Sequence, residues 1–211
     1  MKNIFSRAGQ NGKTTMQKKL WKMILVVTIP LMLTIILVVG IFIGYALQYN
    51  AILNNVTTAS DFNRAFTDNI KTKMYYFVID SQYSEGLPTE EVKSAETIAR
   101  KLIETTSEKD SLRAINSVLN LCHNLEDKMQ EIAKTEGYDS RMSQLNDNIY
   151  VMADLIQEYM YTYLYYEAVH LDALQSTMTR NMVGLMGLVV VLAFVLLSFL
   201  LSYSRKLSRR I

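Results

Sequence analysis

The residues able to do chemistry are few and scattered. The stretch Gly9-Gln10-Asn11-Gly12-Lys13-Thr14-Thr15 has the lysine and hydroxyls of a phosphate-binding loop. That loop needs a glycine five positions before Gly12, a buried strand ahead of it and a soluble helix behind it. Arg7 holds the first of these places and no strand-like run precedes it, so the stretch reads as a basic tail beside anionic lipid. His123 and His170 are the two histidines, and neither sits in a carboxylate-histidine spacing suited to a metal. The lone thiol, Cys122, falls on an apolar helical stripe, where it packs as a small hydrophobe and leaves no partner for an internal disulfide. Glu90, Glu91, Asp110, Glu126 and Asp127 form solvated faces. No nucleophile-base-acid set emerges, so the chain is read as a non-enzyme with no cofactor, no metal and no nucleic-acid partner.

A further set is aromatic. Phe62, Phe66, Tyr159, Tyr163 and Tyr166 stand at helical spacing on two segments that would lie level if those segments ran antiparallel. Such a layer serves as plain core or as the wall of a ligand cavity between helices. Gly40 and Gly44 form a GxxxG, a spacing that lets two membrane helices approach closely.

These residues must be positioned by helices, because charge and apolar residues are segregated along the chain. No charged residue occurs from Met23 to Ser60, nor from Asn181 to Ser204. Each gap exceeds the ~20 apolar residues needed to cross a ~30 Å hydrocarbon core. We read 24–47 and 182–203 as transmembrane helices, with Trp21, Tyr45, Tyr49 and Tyr203 near their ends, where aromatic rings favour the headgroup zone. Pro30 is tolerable in the first, since neighbouring helices can satisfy the freed carbonyl. Lys2, Arg7, Lys13, Lys18, Lys19 and Lys22 precede the first span, and Arg205, Lys206, Arg209 and Arg210 follow the second. All 20 acidic residues lie between the spans. The positive-inside rule therefore expects both termini in the cytoplasm and 48–181 outside the cell membrane. The long basic lead and long apolar run speak for an uncleaved anchor rather than a signal peptide.

Between the spans, Gly86, Pro88 and Gly137 are the only glycines and proline, and they punctuate amphipathic helices. The first helix is expected from about 48 to about 82, with Ile52, Val56, Ala59, Phe62, Phe66, Ile70, Met74 and Phe77 inward. Thr89 would cap a second helix that buries Val92, Ala95, Ala99 and Leu102 and yields near Thr106-Ser107. A third, from about Asp110, buries Leu112, Ile115, Leu119, Cys122, Leu125, Met129 and Ile132. The fourth is expected from about Ser140, without interruption, into the second span, burying Met142, Leu145, Ile149, Met152, Ile156, Tyr159, Tyr163 and Tyr166. The fold class is all-α: two transmembrane helices and an extracytoplasmic up-down-up-down four-helix bundle of uneven height. The domains are thus a basic cytoplasmic tail at 1–23, spans at 24–47 and 182–203, a sensor bundle at 48–181 and a cytoplasmic linker start at 204–211.

The segment Tyr49-Asn50-Ala51-Ile52-Leu53-Asn54-Asn55-Val56-Thr57-Thr58-Ala59-Ser60-Asp61-Phe62-Asn63 resembles the stretch just outside the first span of YesM-like sensor histidine kinases. Tyr165-Tyr166-Glu167-Ala168 is similar in character, and Ser204-Arg205-Lys206-Leu207-Ser208-Arg209-Arg210-Ile211 resembles the entry to a HAMP linker. The resemblance implies the input half of a bacterial two-component system: a homodimer in the lipid bilayer that receives an extracellular ligand or partner protein. It reaches a response regulator only through a kinase domain. No phosphoacceptor histidine or ATP-binding domain lies within these 211 residues, so no phosphoryl transfer is assigned to them. The same layout suits a chemoreceptor-type ligand domain or an accessory membrane protein with a partner-binding bundle.

Overall fold

A computed structural model describes residues 4–79 and 86–208, excepting the side chains of 4–20, 23, 64–65, 203–204 and 206–208. Among the described residues, five α-helices and one π-helical turn follow in order: α1 (Ile4–Ile79), α2 (Thr89–Thr105), α3 (Lys109–Lys134), α4 (Tyr138–Gln144), the π turn (Leu145–Tyr150) and α5 (Val151–Ser208). There is no strand among the described residues. The chain divides into two compact units, one of Met1–Ala46 with Thr177–Ile211 and one of Leu47–Ser176.

The first unit contains two apolar helical stretches long enough to cross a membrane, and neither is buried by protein. Ile36 is 65% exposed and Met186 70%, values that a core helix would not tolerate in water. Pro30 sits within α1, where the Thr34 hydroxyl donates to the Pro30 carbonyl at 2.8 Å. The Asn181 side-chain amide donates to the Tyr45 hydroxyl, tying the two stretches together at one end. Residues 4–23 are helical, so the basic tail is the start of α1, and Gly9–Thr15 lies inside a helix.

The second unit is held by one apolar core drawn from every helix except α4. In α3 the buried Ile115, Val118, Cys122, Leu125, Met129 and Ile132 alternate steps of three and four. In α2, Val92, Ala95, Ala99 and Leu102 do the same, which is the spacing of knobs that fit a facing helix. Charged residues occupy the other faces, where Arg113 pairs with Asp110 at 2.9 Å and Lys128 with Glu131 at 2.6 Å.

Local chemistry explains the ends. Pro88 takes the position before α2 and makes no side-chain cap, so Thr89 is the first helical residue rather than the expected cap. Its N–H instead donates to the Leu87 carbonyl at 2.8 Å, and Glu90 and Glu91 meet the positive end of the helix dipole. Thr106 turns to extended backbone and donates its N–H to Leu102, ending α2. Three residues later α3 is under way, with the Glu108 carboxylate accepting from the Ser111 N–H at 2.6 Å. At the other end of α3, Gly137 has φ +88, a left-handed conformation open to glycine at little cost. The expected end of the first helix near Gln82 lies outside the described residues, and α1 is described as far as Ile79.

The expected uninterrupted fourth helix is corrected by the π turn at Leu145–Tyr150. A turn closed by i→i+5 bonds holds more residues than an α turn. Two successive steps of four, from Leu145 to Ile149 to Ala153, therefore stay on one face. The buried series continues Ile156, Met160, Tyr163, Glu167 instead of running through Met152, Tyr159 and Tyr166.

Candidate functional site

The end of the second unit where α1 enters and α5 leaves differs in chemistry from the rest of its core. There the short α2–α3 turn packs against α1 and α5 through polar groups. Thr105 donates its hydroxyl to the Asn55 side-chain carbonyl of α1 at 2.8 Å. The Thr106 hydroxyl and the Tyr163 hydroxyl of α5 share a buried hydrogen bond of 2.8 Å. Burial pushes the Tyr163 phenol up to about 12; the Thr106 bond opposes that shift and the nearby Glu167 adds to it. Glu108 is held below the usual carboxylate range, first by the Ser111 N–H it accepts from.

One turn beyond Tyr163, Glu167 is only 1% exposed. Its Oε1, the Ser111 Oγ and the His170 Nδ1 are all buried without a hydrogen-bond partner among the described residues. Such clustering is unusual, because buried polar atoms are nearly always satisfied. Burial raises the Glu167 pKa; the Ser111 hydroxyl and His170 act against that and Glu108 with it.

Higher in the unit the polar contacts hold helices in register. The Thr67 hydroxyl of α1 donates to the Ala153 carbonyl of α5 at 3.3 Å. Lys71 pairs with Asp154 at 2.5 Å, and Lys73 pairs with Glu91. Arg141 donates to the Phe77 carbonyl at 3.2 Å and lies 5.0 Å from the centre of that ring.

The five aromatic residues singled out in the sequence separate. Phe62 and Phe66 stack with centroids 4.8 Å apart, both nearly buried, and form part of a groove of about 320 Å³ between α1 and α2. Asp61, Glu90 and Glu91 stand around that groove. Tyr163 shares the same core but uses its hydroxyl on Thr106. Tyr159 is 39% exposed, and Tyr166 is half-buried with its ring edge-on to Tyr165. The buried chemistry of Glu167 and Ser111 was not singled out from the sequence. One signal pointed to it: a glutamate four residues after Tyr163, at a step that keeps it on the buried face.

Gly40 and Gly44 face open space, and a methyl group added at either would meet nothing within 4 Å. Cys122 is fully buried, its thiol pushed up to about 12 by that burial and by nearby Glu96. No cluster of three or more metal-ligating side chains occurs among the described residues. Comparison with family models, with curated proteins and with solved structures finds no match.

Proposed function

We propose that this chain is a membrane-anchored sensory input module of the two-component histidine kinase type. Residues 48–181 form an extracytoplasmic four-helix bundle with up-down-up-down topology, and both termini are cytoplasmic. One observation carries the reading: α1 and α5 each supply residues both to the apolar unit and to the packed one. A helix resists local deformation because each residue's backbone is bonded to the next turn. A displacement of α5 within the packed unit is thus handed along its axis toward Ser208. The exclusion of acidic residues from both flanks supports the topology. The open Gly40–Gly44 face supports pairing of two chains in the bilayer.

Two measurements test this. A membrane-impermeant maleimide should label Glu90→Cys in intact cells, and labelling only after lysis would overturn the topology. Disulfide cross-linking between Leu201→Cys in paired chains should change with the stimulus. Cross-linking that is identical under every condition that alters the bundle would refute signal transmission.

A further inference from the structure

Glu167 occupies a place where the α5 repeat calls for an apolar residue. Ile149, Ala153, Ile156, Met160 and Tyr163 precede it on the buried face, and it is as enclosed as they are. Charged side chains are almost never fully buried unless paired. The groups that face it are few. From the α2–α3 turn and α3 come Glu108, a carboxylate that opposes its ionisation, and Ser111. From α5 itself come His170, whose charged form would favour ionisation, and the neutral Tyr163 hydroxyl, already bonded to Thr106. From α1 there is no charged residue between Met23 and Ser60. The nearest charged side chains of α2, those of Arg100, Lys101 and Glu104, are exposed, as is Lys109; Asp110 is engaged by Arg113. No lysine or arginine among the described residues is paired with Glu167 across this seam.

The three unpartnered buried atoms share a chemical remedy. Glu167 Oε1, Ser111 Oγ and His170 Nδ1 can all accept hydrogen bonds; the Ser111 hydroxyl can also donate to the carboxylate and favours its ionised form, but an ionised carboxylate itself supplies no donor to Ser111 or His170. A carboxylic acid does supply one. A proton taken from solvent onto Glu167 removes the buried charge and creates an O–H that can donate to Ser111 or His170. We propose that Glu167 is a proton-binding site that fastens the α2–α3 turn to α5, and that the stimulus of this module is extracellular acidity. The second half rests on the sensory reading above; the first half does not.

Burial holds the Glu167 pKa above the usual 4.5, so the folded seam binds its proton more tightly than an opened one. The docking energy this supplies is complete below about 4.5 and is lost as pH rises through the raised value. Acid closes the seam and base loosens it. The Glu108 cap has the opposite dependence, since its pKa is lowered, so loss of the cap at low pH must be separated from loss of the Glu167 proton at high pH.

The test is hydrogen exchange of the Thr106–Ser111 amides in the full chain, in lipid nanodiscs, from about pH 5 to about pH 8, corrected for intrinsic exchange. Protection should fall with rising pH by about tenfold for each unit by which the Glu167 pKa is raised. Glu167→Gln, which is neutral at every pH, should keep high protection throughout. Infrared spectra of the unaltered chain provide a readout independent of any variant, a protonated-carboxyl band that disappears over the same pH range. Protection that does not vary with pH, a Glu167→Gln chain that follows the unaltered curve, or absence of the band would each overturn the site. If the turn responds as expected while Leu201→Cys cross-linking stays constant across the same pH range, the proton site stands and acidity is not the stimulus.

Discussion

The Thr106–Tyr163 bond offers a quantitative check on how the α2–α3 turn is secured. Both hydroxyls are buried, with Tyr163 wholly enclosed and Thr106 8% exposed, and they lie 2.8 Å apart. Tyr163→Phe keeps the ring and its packing but leaves the Thr106 hydroxyl without this partner. Stranding a buried polar group costs about 1–3 kcal/mol. Thr106→Val strands the tyrosine hydroxyl by the same logic and costs a similar amount. In the double variant neither hydroxyl remains, and apolar groups of nearly the same shape meet. Its cost should therefore fall below the sum of the single costs, by a coupling energy of about 1 kcal/mol or more. Urea unfolding of the full chain in nanodiscs, followed by helical circular dichroism, measures all four corners of the cycle. Strictly additive losses would show that the two hydroxyls do not depend on each other, and the account of the seam would be wrong.

Four other outcomes follow from the same geometry. Met160→Ala should destabilise the packed unit by about 2–5 kcal/mol, whereas Tyr159→Ala should cost less than about 1 kcal/mol, because only the methionine is enclosed; equal losses would contradict the phase set by the π turn. Glu108→Ala should cost about 0.5–2 kcal/mol through its lost cap. In the unaltered chain that contribution is present above about pH 4.5 and is lost as pH falls through the depressed folded value, which a pH series of unfolding curves would show. Gly137→Ala should destabilise by about 1 kcal/mol, since φ +88 crowds a Cβ, with the effect read in the same unfolding assay. Cys122 should resist alkylation near neutral pH in the folded chain and react once denatured; rapid labelling of the native protein would refute its burial.

Much of this organisation was legible along the chain because it depends on local pattern. Two charge-free apolar runs identify helices long enough to cross a bilayer, whatever surrounds them. The three-four spacing of Val92 to Leu102 identifies the inward face of α2, and the structure buries those residues; in α3 it buries Ile115, Cys122, Leu125, Met129 and Ile132 as expected, but Val118 in place of Leu119, and Leu112 is only half-buried. Turns at Pro88, Thr106 and Gly137 follow from residues that cannot continue a helix or that favour leaving one. Met152 and Ala153, or Tyr159 and Met160, are adjacent choices that satisfy the same periodicity. Their assignment depended on a π turn whose extra residue rotates everything after it, and no local preference announces that turn.

The candidate chemistry divided along the same line. Segregation of charge, helical periodicity and the scarcity of nucleophiles are properties of order along the chain, and the sequence by itself determined them. That Glu167 reaches Ser111 across 56 positions, or Thr106 reaches Tyr163 across 57, was decided only by the tertiary structure. Hydrogen bonding and desolvation act over a few ångströms in space, so the energy of a buried carboxyl is set by neighbours that the linear order does not name.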